Sequence, residues 1–122
     1  MTSLELRSNS QVITIGGKAY KLDFDMLTMS HAEAVYASHF GLDANVQIIM
    51  ADAIYQKSVA VMAMGYGALC SAGYKISWKT FAKDMYTWQT LEAWNDVVAD
   101  GIAGMMPEPV ENEDNGEDSE KK

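Results

Sequence analysis

Few residues of the chain have the type and spacing that metal binding needs. The two histidines, His31 and His39, are eight positions apart, and neither has a histidine or cysteine three or four positions away. A zinc site on a helix needs that shorter spacing, because only side chains on adjacent turns of one face reach the same ion. We therefore predict no metal site and no cofactor.

The sequence also lacks a convincing nucleophile. The single cysteine, Cys70, lies in the most apolar segment of the chain, where a thiol behaves as a small hydrophobic group. Gly65 and Gly67 in that segment lack the preceding strand and the following Gly-Lys-Ser/Thr of a phosphate-binding loop. We expect that the protein is not an enzyme. One cysteine forms no internal disulfide, so a reducing cytoplasm is the expected compartment.

The charge and hydropathy patterns exclude two classes of partner. The net charge is −8, and Glu108 to Lys122 holds seven acidic residues and two lysines, or −5 of that total. No basic stripe is available to neutralise phosphates, so we expect no binding to nucleic acid. The longest apolar run, Val59 to Ala72, has 14 residues. It is shorter than the ~20 that span a bilayer, so we expect no membrane insertion.

A β-hairpin pattern opens the chain between Val12 and Phe24. Gly16-Gly17 separates two runs of period two and suits a type I′ turn, in which both central residues have positive φ. That turn places Ile13 opposite Tyr20 and gives the ribbon one apolar face, which must lie on helices or on a partner. This face comprises Ile13, Ile15, Tyr20, Leu22 and Phe24, and the other comprises Thr14, Ala19, Lys21 and Asp23.

The pattern then changes to helical periods. Ser30 and Glu33 form a capping box that predicts the start of the first helix, and Gly41 predicts its end. Asp43 is the predicted cap of a second helix, whose apolar face is Val46, Ile49, Met50, Ala53 and Ile54. Gln56-Lys57-Ser58 interrupts this pattern without proline or glycine, so residues 43–72 could form one helix or two.

The apolar segment Val59 to Ala72 predicts a central buried helix. Its row of small residues, Ala63, Gly67 and Ser71, predicts close packing against another backbone. Gly73 predicts its end, and Ser77 predicts the cap of a short helix carrying Trp78, Phe81, Ala82 and Met85. Thr87 or Thr90 begins a last helix with an apolar stripe of Leu91, Trp94, Val98 and Ile102, which ends at Gly104 and Pro107.

Together these signals predict an α+β, mostly helical fold. Residues 12–106 form one domain, in which the N-terminal β-hairpin packs on a bundle of four to five helices. Residues 1–11 are a flexible segment or an additional strand suggested by the alternation of Leu4 and Leu6. Residues 107–122 are a disordered acidic tail, because Val110 is their one aliphatic residue.

Three groups of residues are candidates for interaction with a partner. Lys75, Lys79 and Lys83 lie four positions apart, as a solvated helix face or as a docking stripe for an acidic partner. Among the nine methionines, Met62 and Met64 suit the core, whereas Met105 and Met106 lie beside the tail and suit an adaptable interface. The acidic group comprises Glu111, Glu113, Asp114, Glu117 and Asp118.

The order of these features resembles the tail assembly chaperones of long-tailed bacteriophages. The resemblance lies in the apolar strand Ile13 to Ile15, the turn Gly16-Gly17-Lys18, and the strand with Tyr20, Leu22 and Phe24. It continues through Ala68 to Gly73, Ile76-Ser77 and the helix from Trp88 to Val98, and spans roughly residues 12–104. It implies a protein of the host cytoplasm that binds the tape-measure protein, helps recruit tail-tube subunits and is absent from the mature virion.

Other functions remain open at this point. A small acidic phage or bacterial regulator or inhibitor would use the acidic tail, and a minor structural component of the tail would remain in the particle. A homo-oligomer is also left open, since an apolar face of the hairpin could be covered by a second copy.

Overall fold

The computed structural model describes residues 7–106. In this part of the chain an antiparallel two-stranded hairpin is followed by five helices, which confirms the predicted α+β, mostly helical fold. Predictions that concern residues 1–6 and 107–122, the additional strand and the disordered tail among them, lie outside the described residues. The elements are β1 (Asn9–Ile15), β2 (Lys18–Phe24), α1 (Met26–Phe40), α2 (Val46–Ile54), α3 (Ser58–Ser71), α4 (Trp78–Thr80) and α5 (Leu91–Met105), with a π-helical turn (Phe81–Met85) after α4.

The hairpin has the predicted register and turn. Ile13 pairs with Tyr20, and Gly16 and Gly17 both have positive φ, at 57° and 81°. Ile13, Leu22 and Phe24 are buried and Ile15 and Tyr20 are half-buried, so the predicted apolar face lies on the helices. Strand β1 begins three residues earlier than predicted, because residues 9 and 10 pair with residues 24 and 23.

Helix α5 packs against the hairpin through a close contact at Gly101. A Cβ on this glycine would lie 2.4 Å from the Phe24 ring, so only glycine lets that ring reach the helix. The Asn9 side chain donates a hydrogen bond of 3.0 Å to the Gly101 carbonyl oxygen. The Arg7 backbone N–H donates one of 2.7 Å to the carbonyl oxygen of Met105. These contacts fix β1 along α5.

Helix α1 begins four residues before Ser30, so the predicted start at the Ser30–Glu33 capping box is wrong. Asp25 is the N-cap: its carboxylate accepts a 3.0 Å bond from the Thr28 N–H, and the Thr28 hydroxyl accepts one from the Asp25 N–H. The same carboxylate accepts a hydrogen bond from the Ser71 hydroxyl at 2.8 Å. Asp25 and Thr28 thus form a reciprocal capping box of their own, to which Ser71 adds a tertiary hydrogen bond, and α1 begins there rather than at Ser30. The end at Gly41, with φ 65°, is confirmed.

Residues 43–72 form two helices rather than one. Helix α2 is capped by Asn45, which accepts a hydrogen bond from the Ile48 N–H, so the predicted cap at Asp43 is wrong. Helices α2 and α3 are separated by a turn in which Gln56 has a φ of 64°. The predicted apolar face is buried at Ile49, Met50 and Ala53 but not at Ile54, which is 52% exposed.

Helix α3 is the buried centre of the domain, as predicted, and it packs against α1, α2, α5 and β2. A Cβ on Gly67 would lie 2.7 Å from the Thr28 carbonyl oxygen, and a Cβ on Gly65 would lie 2.8 Å from the Trp94 ring. These two glycines let α1 and α5 approach the α3 backbone, which offsets their cost of about 1 kcal/mol each in a helix.

The last helices follow the predicted order with shifted ends. Ser77 caps α4 by accepting a hydrogen bond from the Thr80 N–H, as predicted. Of the two predicted starts for the last helix, Thr90 is the N-cap residue of α5. The predicted stripe is buried at Trp94, Val98 and Ile102. Helix α5 continues through Gly104 to Met105, so the predicted end at Gly104 is wrong. A Cβ at Gly104 would meet the Asn9 side chain at 2.6 Å, so glycine lets β1 lie close to the helix.

Replacing the cap of α1 tests its link to α3. Burial raises the pKa of the Asp25 carboxyl, but hydrogen bonds from Thr28 and Ser71 outweigh burial and hold its pKa below the usual 3.8. The ionised carboxylate therefore stabilises the fold above the unfolded-state pKa, and this is lost as the pH falls through the folded-state pKa. We expect Asp25→Ala to lower the free energy of unfolding by about 1–2 kcal/mol at neutral pH.

Urea denaturation of both proteins measures this difference. The difference in the free energy of unfolding between the native protein and Asp25→Ala should decrease as the pH is lowered from about 4 toward 2. Asp43→Ala is the control, because Asn45 rather than Asp43 caps α2. An equal loss of unfolding free energy in Asp25→Ala and Asp43→Ala would contradict Asp25 as the cap of α1.

A methyl group at Gly67 tests the contact between α1 and α3. The obstacle is the Thr28 backbone carbonyl rather than a movable side chain, so the two helices must separate. We expect Gly67→Ala to lower the free energy of unfolding by roughly 1–3 kcal/mol, although alanine is the better helix former. Thermal unfolding of the native protein and the variants measures this loss. Ser38→Ala, at an exposed position of α1, is the control and should lower the free energy of unfolding by less than about 0.5 kcal/mol. A Gly67→Ala protein as stable as the native one would contradict this packing.

Candidate interaction surface

The π-helical turn sets the position of the loop that follows it. The Tyr86 N–H donates to the Phe81 carbonyl oxygen at 3.0 Å, five residues back, so the helix is locally widened. The Met85 carbonyl oxygen accepts hydrogen bonds from the Trp94 indole N–H at 2.9 Å and from the Thr90 hydroxyl at 2.8 Å. Both ends of the loop between Met85 and Leu91 are thereby tied to the start of α5.

Two further hydrogen bonds hold the loop internally. The Thr87 N–H donates to the Thr90 hydroxyl at 2.8 Å, and the Thr90 N–H donates to the Thr87 carbonyl oxygen at 3.1 Å. Trp88 lies at the tip of this closed turn, with 85% of its surface exposed. A large aromatic ring is therefore presented to solvent on a turn that hydrogen bonds between Thr87 and Thr90 hold closed.

A groove of about 350 Å³ lies beside this ring. Its walls are Ser58, Tyr86, Thr87, Trp88 and Leu91. The Tyr86 hydroxyl is buried and has no hydrogen-bond partner within residues 7–106. The lining of the groove combines the Tyr86 and Trp88 rings and Leu91, which offer apolar area, with Ser58 and Thr87, whose hydroxyls can orient a partner.

The end of α2 carries two further exposed apolar residues close in sequence to Ser58, a wall of the groove. Tyr55 is 79% exposed, and its Cα lies within about 11 Å of that of Ser58, the longest span of three residues. Ile54 precedes it and is also exposed. We call the combination of Ile54, Tyr55, Ser58, Tyr86, Trp88 and Leu91 the Trp88 surface.

A rigid aromatic cluster supports this surface from inside. Phe81 contacts Trp94 with a centroid distance of 5.3 Å, Tyr86 at 6.2 Å and Trp78 at 5.7 Å. Trp78 in turn stacks on His39, at 4.8 Å and an interplanar angle of 15°. Two of the three tryptophans are thus packed, and Trp88 alone projects outward.

The predicted lysine row does not lie along one helix. Lys75 is in the connector before α4, Lys79 is in α4 and Lys83 is in the π-helical turn. All three side chains are exposed. Since Lys75 precedes the Ser77 cap and the helix widens after Thr80, the four-residue spacing gives no continuous stripe.

The two methionines at the end of α5 have opposite environments. Met105 is fully buried in the core, so its predicted place on an interaction surface is wrong for this fold. The α5 stripe continues to this residue because Gly104 does not end the helix. Met106 is 39% exposed and remains a candidate. The predicted acidic group, Glu111, Glu113, Asp114, Glu117 and Asp118, lies outside the described residues.

The groups first considered for chemistry do not converge. Burial raises the pKa of the Cys70 thiol, with a hydrogen bond to Tyr66 acting in the opposite direction. The Tyr66 hydroxyl donates to the Ile76 carbonyl oxygen at 2.8 Å, so it belongs to the packing of the connector. Within residues 7–106, no three His, Cys, Asp or Glu side chains are grouped so that they could hold a metal ion.

The sequence reasoning missed the residues of the Trp88 surface. Trp88 lies between two predicted helix starts, Thr87 and Thr90, and therefore belongs to no apolar stripe. A tryptophan outside every periodic pattern was the available signal. Tyr55 carried the same signal, because it adjoins the interruption at Gln56 to Ser58.

Comparisons with known proteins found no match: no protein-family model, no curated protein and no solved structure matches the chain. Among residues 7–106, no helix combines the length and the apolar character needed to cross a membrane.

Fluorescence tests the exposure of Trp88. We expect Trp88→Ala to change the free energy of unfolding by less than about 0.5 kcal/mol, because its ring packs little against the fold. The mean emission should move to shorter wavelength and acrylamide quenching should decrease, because the remaining indoles are Trp94, fully buried, and Trp78, half-buried. Trp94→Phe, which leaves the Met85 carbonyl without one donor, should instead cost about 1–3 kcal/mol. Equal destabilisation by the two changes would contradict the exposed loop.

Proposed function

We propose that this protein is a tail assembly chaperone of a long-tailed bacteriophage. It binds the tape-measure protein, helps recruit tail-tube subunits in the host cytoplasm, and is absent from the mature virion. The observation that carries the proposal is the Trp88 surface, an exposed aromatic ring beside an apolar groove. Exposed apolar area of this kind is typical of surfaces that bind other proteins.

The geometry suits a chaperone of apolar helices. A tape-measure protein has long apolar helices that aggregate unless their side chains are covered. A groove of about 350 Å³ accepts side chains from such a helix, while Trp88 and Tyr55 add large contact areas with few rotatable bonds. Because hydrogen bonds between Thr87 and Thr90 hold the turn that carries Trp88, less ordering entropy is lost when a partner binds.

The residues of the family resemblance have a structural role in this chain. Leu22 and Phe24 are fully buried, and Tyr20 packs edge-on against Tyr74 at 5.4 Å. The hairpin motif therefore has a packing role in this chain, and the helical surface is left for partners. The resemblance, which includes the helix from Trp88 to Val98, and the exposure of Trp88 both support the proposal.

Co-expression tests this function directly. Together with a fragment of the candidate tape-measure protein, the native chain should raise the soluble fraction of that fragment. Trp88→Ala should remove most of this effect, because hot-spot aromatics often contribute more than about 2 kcal/mol to binding. The measurement is the soluble fraction of the fragment after centrifugation, at equal expression of both proteins.

Val12→Ala is the matched control, since Val12 is an exposed apolar residue on the outer face of the hairpin, opposite the face that packs on the helices. It should leave the solubilising effect unchanged. No increase in fragment solubility with a folded native chain would reject the chaperone function. Detection of the chain by mass spectrometry in purified mature particles would favour a structural tail component instead.

A further inference from the structure

Helix α2 has an apolar face on the side that points away from the core. Its buried inward face comprises Ile49, Met50 and Ala53. Successive residues of an α-helix are turned by about 100°, so Ile48, Ala51 and Tyr55 lie within about 60° of one another on the opposite side. Ile48 is half exposed, and Ala51 and Tyr55 are exposed. A surface helix ordinarily carries polar side chains there. We call these three residues the α2 stripe.

The α2 stripe lies on a helix with almost no charge. The chain has a net charge of −8, so like charge opposes most contacts between two copies of it. Asp52 is the one charged residue among the nine of α2, and Lys57 forms an ion pair with it at 3.4 Å. A second copy can therefore approach this face without meeting the repulsion that the net charge imposes elsewhere.

The spacing of the stripe is self-complementary. Ile48 and Tyr55 lie equally far along the helix axis, about 5 Å, from the midpoint between residues 51 and 52. A two-fold axis at that midpoint makes two copies of α2 antiparallel and brings Ile48 of each copy level with Tyr55 of the other. Ala51 lies next to the axis, where its small side chain lets the two helix backbones approach.

We propose that a second copy of this chain covers the α2 stripe, in a two-fold symmetric dimer with Ala51 at its axis. This inference goes beyond the proposed function and does not require it. Burial of the stripe and of Ile54 on both copies removes on the order of 800 Å² from water, less than the ~1,200 Å² of stable specific interfaces. The dimer is therefore weak and exchanges with the monomer. Because Ile54 and Tyr55 also belong to the Trp88 surface, a tape-measure helix bound there would displace the second copy.

Sedimentation equilibrium of the full chain measures this association. We expect the mean mass to rise with concentration from one chain toward two, with a dissociation constant between about 10 and 300 μM. Tyr55→Ala should weaken association by about tenfold or more, because Tyr55 offers the largest area of the stripe. Its circular dichroism spectrum should match that of the native chain, since the side chain is exposed. A native chain that stays monomeric at about 1 mM would overturn the proposal, as would a mass that grows beyond two chains.

Opposite charges at Ala51 test the two-fold axis. Residue 51 of one copy faces residue 51 of the other in the proposed dimer, so Ala51→Glu and Ala51→Lys should each be monomeric through like-charge repulsion. An equimolar mixture of the two variants should associate at least about tenfold more strongly than either alone, and salt should weaken it. Ala34→Glu, the same change at an exposed alanine of α1, is the matched control and should change the dissociation constant by less than about threefold.

The outcomes separate the dimer from the chaperone function. A mixture that associates no better than its separate components would overturn the two-fold arrangement, as would an equal effect of Ala34→Glu and Ala51→Glu. If the native chain stays monomeric while co-expression depends on Trp88 and Tyr55, the tape-measure protein covers the stripe, and the dimer is wrong while the chaperone function stands. If the dimer forms as expected but no tape-measure fragment is solubilised, the dimer stands without that function.

Discussion

The close contact of α1 with α3 is the constraint on which the rest of the domain depends. Gly67 lets the α3 backbone approach the Thr28 carbonyl, and the Asp25 carboxylate joins the start of α1 to Ser71 near the end of α3. Because Asp25 directly follows β2, this contact also sets the direction in which the chain leaves the hairpin. The apolar face of the hairpin is thereby directed onto α3 and α5.

Hydrogen bonds also position the loop that carries Trp88. At the end of the π-helical turn, the Met85 carbonyl oxygen accepts hydrogen bonds from the Trp94 indole N–H and from the Thr90 hydroxyl. These bonds hold the loop on which the Trp88 ring is exposed. An exposed aromatic ring leaves apolar area in water, which favours recognition of a partner.

Local signals in the sequence by themselves determined the hairpin register, the Gly41 and Ser77 helix ends, and the order of the helices, because these depend on neighbouring residues. The start of α1 and the burial of Met105 depended on the tertiary structure. Asp25 and Thr28 form the capping box, and Ser71, 46 residues from Asp25, adds a tertiary hydrogen bond to it. The candidate site was decided by folding: Ser58 begins α3 and Trp88 precedes α5, and no periodicity in the sequence relates segments that only folding brings together.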